Sequence, residues 1–182
     1  MWHTLLPGVP AYLGRTALPE DEEWIRYIEA WEPVYIQGYG NACRVFLECG
    51  KQVYIGLSTR SLLHRVAAYH ALDLQRLRRH FYDATRQKQT PPLPISSRGL
   101  ILFAYKARSY EDRRWRNDGA MGYVAMERIE RIDPVDHAPH PLTRVTLTSG
   151  VVLEARMRCG NFRTRMHSAD YFKYYLAKHG IQ

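Results

Sequence analysis

Arginine dominates the middle of this chain, and its side chain is suited to binding phosphate. Residues 60–116 contain 13 basic and 4 acidic side chains, a net charge of +9, in a chain whose total net charge is +8. A guanidinium group can bind two phosphate oxygens at once, and it also fits the narrow, electronegative minor groove of AT-rich DNA. This charge predicts a polyanionic partner, although a solvated basic face without a partner would have the same composition.

Two groups of basic residues are the candidates for DNA binding. In the first group, Arg76, Arg79 and Arg86 are spaced to share one face of a helix, and the second group lies near the C-terminus. Residues 1–32 carry 2 basic and 6 acidic side chains, so that segment is the main source of charge that could neutralise them. The candidate DNA-binding residues are Arg76, Arg78, Arg79, Arg86, Lys88, Arg163 and Arg165.

An acidic helix is predicted ahead of the first strand. Leu18-Pro19 and four acidic residues are typical of a helix start, because proline tolerates the first turn and acids favour the positive end of the helix dipole. Trp24, Tyr27, Ile28 and Trp31 follow at helical spacing, and Pro33 would end the helix.

Hairpins and two further helices make up the rest of the predicted secondary structure. The predicted elements are a strand at Val34–Ile36, hairpins about Cys49-Gly50-Lys51 and Ser149-Gly150, a helical stretch over Ser58–Gln87, strands at Leu100–Tyr105 and Tyr123–Ile132, a loop at Ser109–Asp118, and a C-terminal helix capped by Ser168.

These elements predict an α+β fold with two strand-rich units, a basic central helix and a C-terminal helix. Residues 1–33 would form an acidic helical segment and residues 34–182 one DNA-binding domain, whose two halves would meet near residues 106–122. The hairpins near residues 43–56 and 145–158 suggest a duplicated architecture.

Composition indicates a cytoplasmic protein with no membrane segment. Apolar residues make up 46% of the chain, yet no apolar run approaches the roughly 18 residues that a spanning helix needs. The N-terminus lacks the basic and apolar regions of a signal peptide. Three cysteines without CxxC spacing are typical of a reduced, intracellular protein.

Several motifs resemble, in order and spacing, the ComK family of bacterial competence transcription factors. Together they cover roughly residues 52–182, and the departures from the family pattern include Ala104 where the family has proline and Tyr123 where it has tryptophan. The matching stretches are Tyr82-Asp83-Ala84-Thr85-Arg86, Pro91-Pro92-Leu93-Pro94-Ile95, Gly122-Tyr123-Val124, and Val145-Thr146-Leu147-Thr148-Ser149-Gly150 with Glu154 and Phe162.

The resemblance implies a transcriptional activator of DNA-uptake genes located on the nucleoid. Such factors bind AT-rich promoter boxes as dimers or pairs of dimers, largely through the minor groove, and an adaptor delivers them to Clp protease. The resemblance implies no cofactor. Arginine suits this role because the minor groove presents a degenerate pattern of acceptors.

A second resemblance leaves an enzymatic alternative open. Val53-Tyr54-Ile55-Gly56-Leu57-Ser58 is similar to part of the GIY-YIG nucleases, in which tyrosine, arginine and histidine surround the scissile phosphate and a glutamate holds a divalent metal. This resemblance implies a Mg²⁺-dependent DNA endonuclease. The separation of 19 residues between Tyr35 and Tyr54 is long for this family and counts against it. The implied catalytic residues are Tyr35, Tyr54, Arg65, His70 and Glu127.

Overall fold

Ten strands and three α-helices form within the residues that the computed structural model describes, which are 12–36, 40–107, 121–136 and 138–181. The predicted α+β class is confirmed. No helix in these residues has the length and apolarity to cross a bilayer. The elements are β1 (Tyr12–Leu13), β2 (Ile28–Ile36), β3 (Gly40–Leu47), β4 (Gln52–Ile55), α1 (Thr59–Tyr69), α2 (Leu74–Thr85), β5 (Leu93–Ile95), β6 (Leu100–Lys106), β7 (Met121–Ala125), β8 (Ile129–Pro134), β9 (Thr143–Leu147), β10 (Val152–Ala155) and α3 (Cys159–Lys178).

Two sheets and the helices enclose one hydrophobic core. Seven strands form the larger sheet in the order β1-β4-β3-β2-β7-β6-β5, and three form the smaller one in the order β10-β9-β8. The helix α3 packs on β6, where the rings of Phe103 and Phe162 meet edge to face with centroids 5.3 Å apart. Phe81 of α2 meets Phe172 of α3 in the same way at 5.2 Å, so the two helices share this core.

The chain contains the same arrangement of three strands and a helix twice. The first copy is β2-β3-β4-α1 (residues 28–69) and the second is β8-β9-β10-α3 (residues 129–178). Each has a register shift near the start of its first strand. In the hairpin turns, Gly50 N–H donates to Leu47 O at 2.8 Å and Gly150 N–H donates to Leu147 O at 2.9 Å. From residue 44 onward, equivalent positions differ by 100.

The predicted N-terminal helix is wrong. Residues 21–23 and 25–27 form short 3-10 turns, and the segment then enters β2, a central strand of the larger sheet. A strand buried on both faces does not alternate between apolar and polar residues. Ile28 and Trp31 of β2 therefore fall at helical spacing with Trp24 and Tyr27 of the preceding turns. The boundary at residue 33 therefore falls inside a strand rather than at the end of a helical segment.

Pro33 is tolerated within β2 because the pairing of β2 with β7 ends before it. The carbonyl of Trp31 points towards Gly122 of β7, so the nitrogen of Pro33, two residues on, points to the same side. The pairing of β2 with β7 covers only Ala30 and Trp31. No β7 residue is paired opposite Pro33, so its missing N–H breaks no bond to β7.

Three other predicted elements have different boundaries. The stretch Ser58–Gln87 is two helices, separated where Ala71 adopts a left-handed φ of 54° and Asp73 caps α2. The C-terminal helix begins at Cys159 rather than at Ser168. The stretch Tyr123–Ile132 divides between β7 and β8, which belong to different sheets. The predicted loop Ser109–Asp118 lies outside the described residues.

The turns of the two copies meet, and polar side chains join them. Ser149 Oγ donates to Glu29 Oε1, and Glu48 accepts hydrogen bonds from both Arg98 and Arg128. Glu29 is 1% exposed. Burial raises the pKa of the Glu29 carboxyl, although the Ser149 hydroxyl lowers it in part.

Replacing Glu29 with glutamine should flatten the pH dependence of the free energy of unfolding. Because the folded-state pKa is raised, this carboxyl contributes most stability below its ordinary value of 4.5, and the contribution is lost as pH rises through the raised pKa. Glutamine stays neutral and still accepts the hydrogen bond from Ser149. Urea unfolding at a series of pH values should therefore show the variant gaining stability relative to wild type as pH rises. An identical pH slope in the two proteins would contradict this, and the exposed Glu154→Gln serves as the control.

Gly122 allows a tyrosine of the neighbouring strand to lie across β7. A Cβ at Gly122 would lie 2.6 Å from Tyr105 Cζ and 2.8 Å from Trp31 O. The Tyr105 hydroxyl donates to Glu32 Oε2 at 3.1 Å, and Arg44 Nε donates to Glu32 Oε1 at 2.9 Å. A row of polar groups is thereby held on one face of the larger sheet.

Gly122→Ala should lower the free energy of unfolding by about 1–3 kcal/mol, because the added methyl has no space beside a buried ring and a backbone carbonyl. Urea denaturation measures the loss. Gly14→Ala is the matched control, since nothing lies within 4 Å of its Cβ position and its φ is −63°. Equal stability of the two variants would show that Tyr105 can move aside.

Candidate nucleic-acid interface

The predicted arginines of α2 are exposed on the side away from the core. Leu77 and Phe81 face inward at 6% and 3% exposure, whereas Arg76, Arg78 and Arg79 are exposed. Arg76 Nε donates to His80 Nε2 at 3.3 Å. No ion pair joins these three arginines to a carboxylate of the described residues, so their charge faces solvent.

The cap of α2 sets where this helix begins. Asp73 Oδ1 accepts from Gln75 N at 2.8 Å and from Arg76 N at 3.1 Å. These backbone N–H groups are the main reason that the pKa of the Asp73 carboxyl is lowered. A capping aspartate fixes the first turn and with it the position of the arginines that follow.

Arg86 and Lys88 continue the first basic group beyond the end of α2. Arg86 has a left-handed φ of 59°, and its N–H donates to Tyr82 O at 2.7 Å. Its guanidinium lies 5.7 Å from the centroid of the Tyr82 ring. Both Arg86 and Lys88 are exposed, so the group extends along the helix and its C-terminal end.

A pocket of about 400 Å³ lies between α1, α2 and β7, and we refer to it as the α1–α2 pocket. Arg60, His64 and Arg78 supply its basic groups, and no carboxylate is among its lining residues within the described part of the chain. Tyr123 also lines it and stacks on Trp31, with centroids 4.6 Å apart. Burial raises the pKa of the Tyr123 hydroxyl, which therefore stays neutral.

A second pocket, of about 390 Å³, lies at the start of α3 and is called the α3 pocket below. Its polar lining groups are Lys106, His140, Arg156, Arg158, Asn161 and Arg165. Two hydrogen bonds hold this lining in place: Arg156 N donates to Lys106 O at 2.7 Å, and Arg165 Nη1 donates to Ala104 O at 3.2 Å. Among the described residues, its lining includes no carboxylate.

The two pockets are linked through one pair of residues where β6 ends and β7 begins. Lys106, which lines the α3 pocket, is paired across this hairpin with Met121, which lines the α1–α2 pocket. Basic groups from α1, α2, β6 and the start of α3 therefore line pockets on either side of the Lys106–Met121 pair.

The second predicted basic group is divided by α3. Arg163 Nη2 donates to Ile132 O of β8 at 3.2 Å, whereas Arg165 donates to Ala104 of β6. The two arginines therefore lie on different flanks of the helix, and Arg165 lines the α3 pocket. The same pocket is also lined by Lys106, Arg156 and Arg158, which were not predicted from the sequence as DNA-binding residues.

The residues of the nuclease alternative lie on separate elements. Tyr54 bonds to Arg44, which pairs with Glu32, so these three share one face of the larger sheet. Tyr35 is three residues beyond Glu32 on β2 and so points to the opposite face, where it is 52% exposed. Arg65 Nε pairs with Asp21 Oδ1 at 2.6 Å.

The remaining two candidates have other partners. His70 caps the C-terminus of α1 and lies near Arg98, and burial lowers its pKa. Glu127 pairs with Lys173 of α3 and accepts from Ile101 N at 2.8 Å. Within the described ranges, no group of three His, Cys, Asp or Glu side chains could hold a metal ion. The structure thus does not bring the five residues together.

No protein-family model matches this chain, and no curated protein or solved structure does either. The function must therefore be inferred from the positions of the basic groups and the motifs themselves.

Proposed function

We propose that this protein binds double-stranded DNA and activates transcription of DNA-uptake genes. The observation that supports binding is a pair of basic pockets, free of carboxylates in their described lining, that are linked by the paired residues Lys106 and Met121. The exposed arginines of α2 extend the same charge away from the α1–α2 pocket, which Arg78 also lines.

A duplex fits this surface better than a small anion does. DNA presents regularly spaced phosphates, and a protein gains affinity by neutralising several of them at once. The basic groups belong to several elements, so they are distributed rather than gathered in one closed site. Phosphate contacts of this kind position a protein on DNA, and minor-groove arginines add a preference for AT-rich sequence.

The activator role rests on the resemblance to the ComK family. Several of its motif residues have structural roles here: Gly122 makes room for Tyr105, Phe162 packs on Phe103, and Gly150 forms the β9–β10 turn. Tyr123 of the same motifs lines the α1–α2 pocket. In vitro transcription from a promoter with an AT-rich box tests activation, and no gain in transcript at saturating protein would contradict it.

We propose that the active form is a homodimer, as the resemblance implies. Tyr171 and Tyr174 on α3 are 52% and 63% exposed, which leaves aromatic surface available. Light scattering with and without duplex tests the assembly, and a monomer in both conditions would contradict it.

The affinity of the wild type for DNA should fall steeply as the salt concentration rises. The double variant Arg60→Gln/Arg78→Gln should have a smaller slope of log affinity against log salt, by roughly 1 for each phosphate that it no longer neutralises. Fluorescence anisotropy with an AT-rich duplex measures both. Lys51→Gln/Arg131→Gln removes the same charge from exposed positions outside both pockets and serves as the control. Salt-independent affinity, or equal slopes for the two double variants, would contradict the proposal.

The duplex should remain intact when the protein and Mg²⁺ are added together, because the five candidate nuclease residues lie apart. Gel electrophoresis of a labelled duplex detects cleavage. Cutting that both Tyr54→Phe and Arg65→Ala abolish, with circular dichroism showing that the variants are folded, would instead support the nuclease.

A further inference from the structure

The two copies use the position at the start of their helix in different ways. In the first copy, Ser58 Oγ accepts from Ser61 N at 3.1 Å and caps α1. The equivalent residues of the second copy are Arg158 and Asn161, and Arg158 makes no side-chain cap. An arginine has only donors, so it cannot accept from the helix N–H groups as serine does.

The same substitution of basic for neutral residues recurs around this position. Gly56 N donates to Leu13 O at 2.9 Å, and at the equivalent place Arg156 N donates to Lys106 O at 2.7 Å. The backbone bond is retained, whereas Gly56 of the first copy corresponds to Arg156 of the second. The two acceptors, Leu13 and Lys106, lie on strands that precede the respective copies. Arg156 and Arg158 therefore have no basic equivalent in the first copy, whereas Arg165 corresponds to Arg65. The shared strand–turn–helix geometry does not require Arg156 or Arg158.

Arg156 and Arg158 bring like charges into one pocket, and like charges disfavour the folded state where no opposite charge offsets them. Lys106, Arg156, Arg158 and Arg165 line one pocket of about 390 Å³. No ion pair joins Arg156 or Arg158 to a carboxylate of the described residues. A bound anion would reverse the repulsion, and a phosphate offers enough oxygens for several guanidinium and ammonium groups at once.

Its neighbours hold the pocket in shape without involving the ends of Arg156 and Arg158. Thr143 Oγ1 donates to Met157 O at 2.7 Å, between these two arginines in sequence. The α3 backbone is anchored behind them by Phe162, which is fully buried. Arg156 and Arg158 are exposed, so their side chains can move onto a ligand while the backbone stays fixed.

We propose that the α3 pocket is a phosphate-binding site, with Arg156 and Arg158 as its principal ligands and Lys106 and Arg165 as supporting cations. The phosphate belongs to the backbone of a nucleic acid, and this identification rests on the proposed DNA-binding function. The site itself rests on the pocket and on the contrast between the copies.

Stabilisation by inorganic phosphate tests the site without any nucleic acid. The thermal unfolding temperature of the wild type should rise with phosphate concentration, beyond the effect of chloride at equal ionic strength, because a ligand that binds only the folded state stabilises it. Arg156→Gln/Arg158→Gln should lose this rise, and Lys51→Gln/Arg131→Gln should keep it. No phosphate-specific rise in the wild type, or a rise kept by the pocket variant, would overturn the proposal.

Duplex affinity then identifies the source of the phosphate. The pocket variant should bind an AT-rich duplex more weakly than the control variant, and its salt slope should be smaller by roughly 1 for each DNA phosphate left without its arginine. If phosphate stabilises the wild type but no variant or wild type binds duplex, the site stands and the proposed function fails. If duplex binding is strong and identical in both variants, the function stands and the backbone phosphate is excluded from this pocket.

Discussion

Glu48 is the carboxylate on which the relative placement of the two copies depends. It accepts hydrogen bonds from Arg98, in the segment before β6, and from Arg128, in the turn before β8. A half-buried charge of this kind is stable only while its cations remain, because an unpaired charge out of water is costly. Ser149 bonds to Glu29 beside it, so the hairpin turns stay in contact. This joint acts together with the shared hydrophobic core to hold the two copies against each other.

The parts of the fold that could be predicted are those fixed by local turn chemistry. Gly50 and Gly150 have φ of 75° and 81°, a conformation that glycine adopts readily, and both hairpins lie where these glycines indicate. Only the end of β2 at Val34–Ile36 could be recognised, because burial on both faces of residues 28–33 removes the alternation that marks an exposed strand. The break between α1 and α2 depends on Ala71, a residue with no intrinsic preference for a left-handed φ, so no local pattern reveals it.

The candidate interface was only partly accessible from sequence for a similar reason. The arginines of α2 lie close together in the chain, and helical spacing groups them. The α3 pocket combines Lys106 with Arg156 and Arg158, which come together only because β6 ends beside β10. The sequence does carry one sign of the repeated arrangement, because Arg44-Val45 recurs 100 residues later as Arg144-Val145. That signal is short, and the order of strands is needed to interpret it.

Two copies within one polypeptide cannot separate on dilution. Three strands and one helix bury too little apolar surface to be very stable alone, so each copy needs a neighbour. Covalent linkage makes that association intramolecular, and its effective concentration is then set by the connecting segment rather than by the number of molecules in the cell. The contact between the turns at Gly50 and Ser149 therefore persists when the protein is scarce, and both pockets keep their spacing in a single molecule.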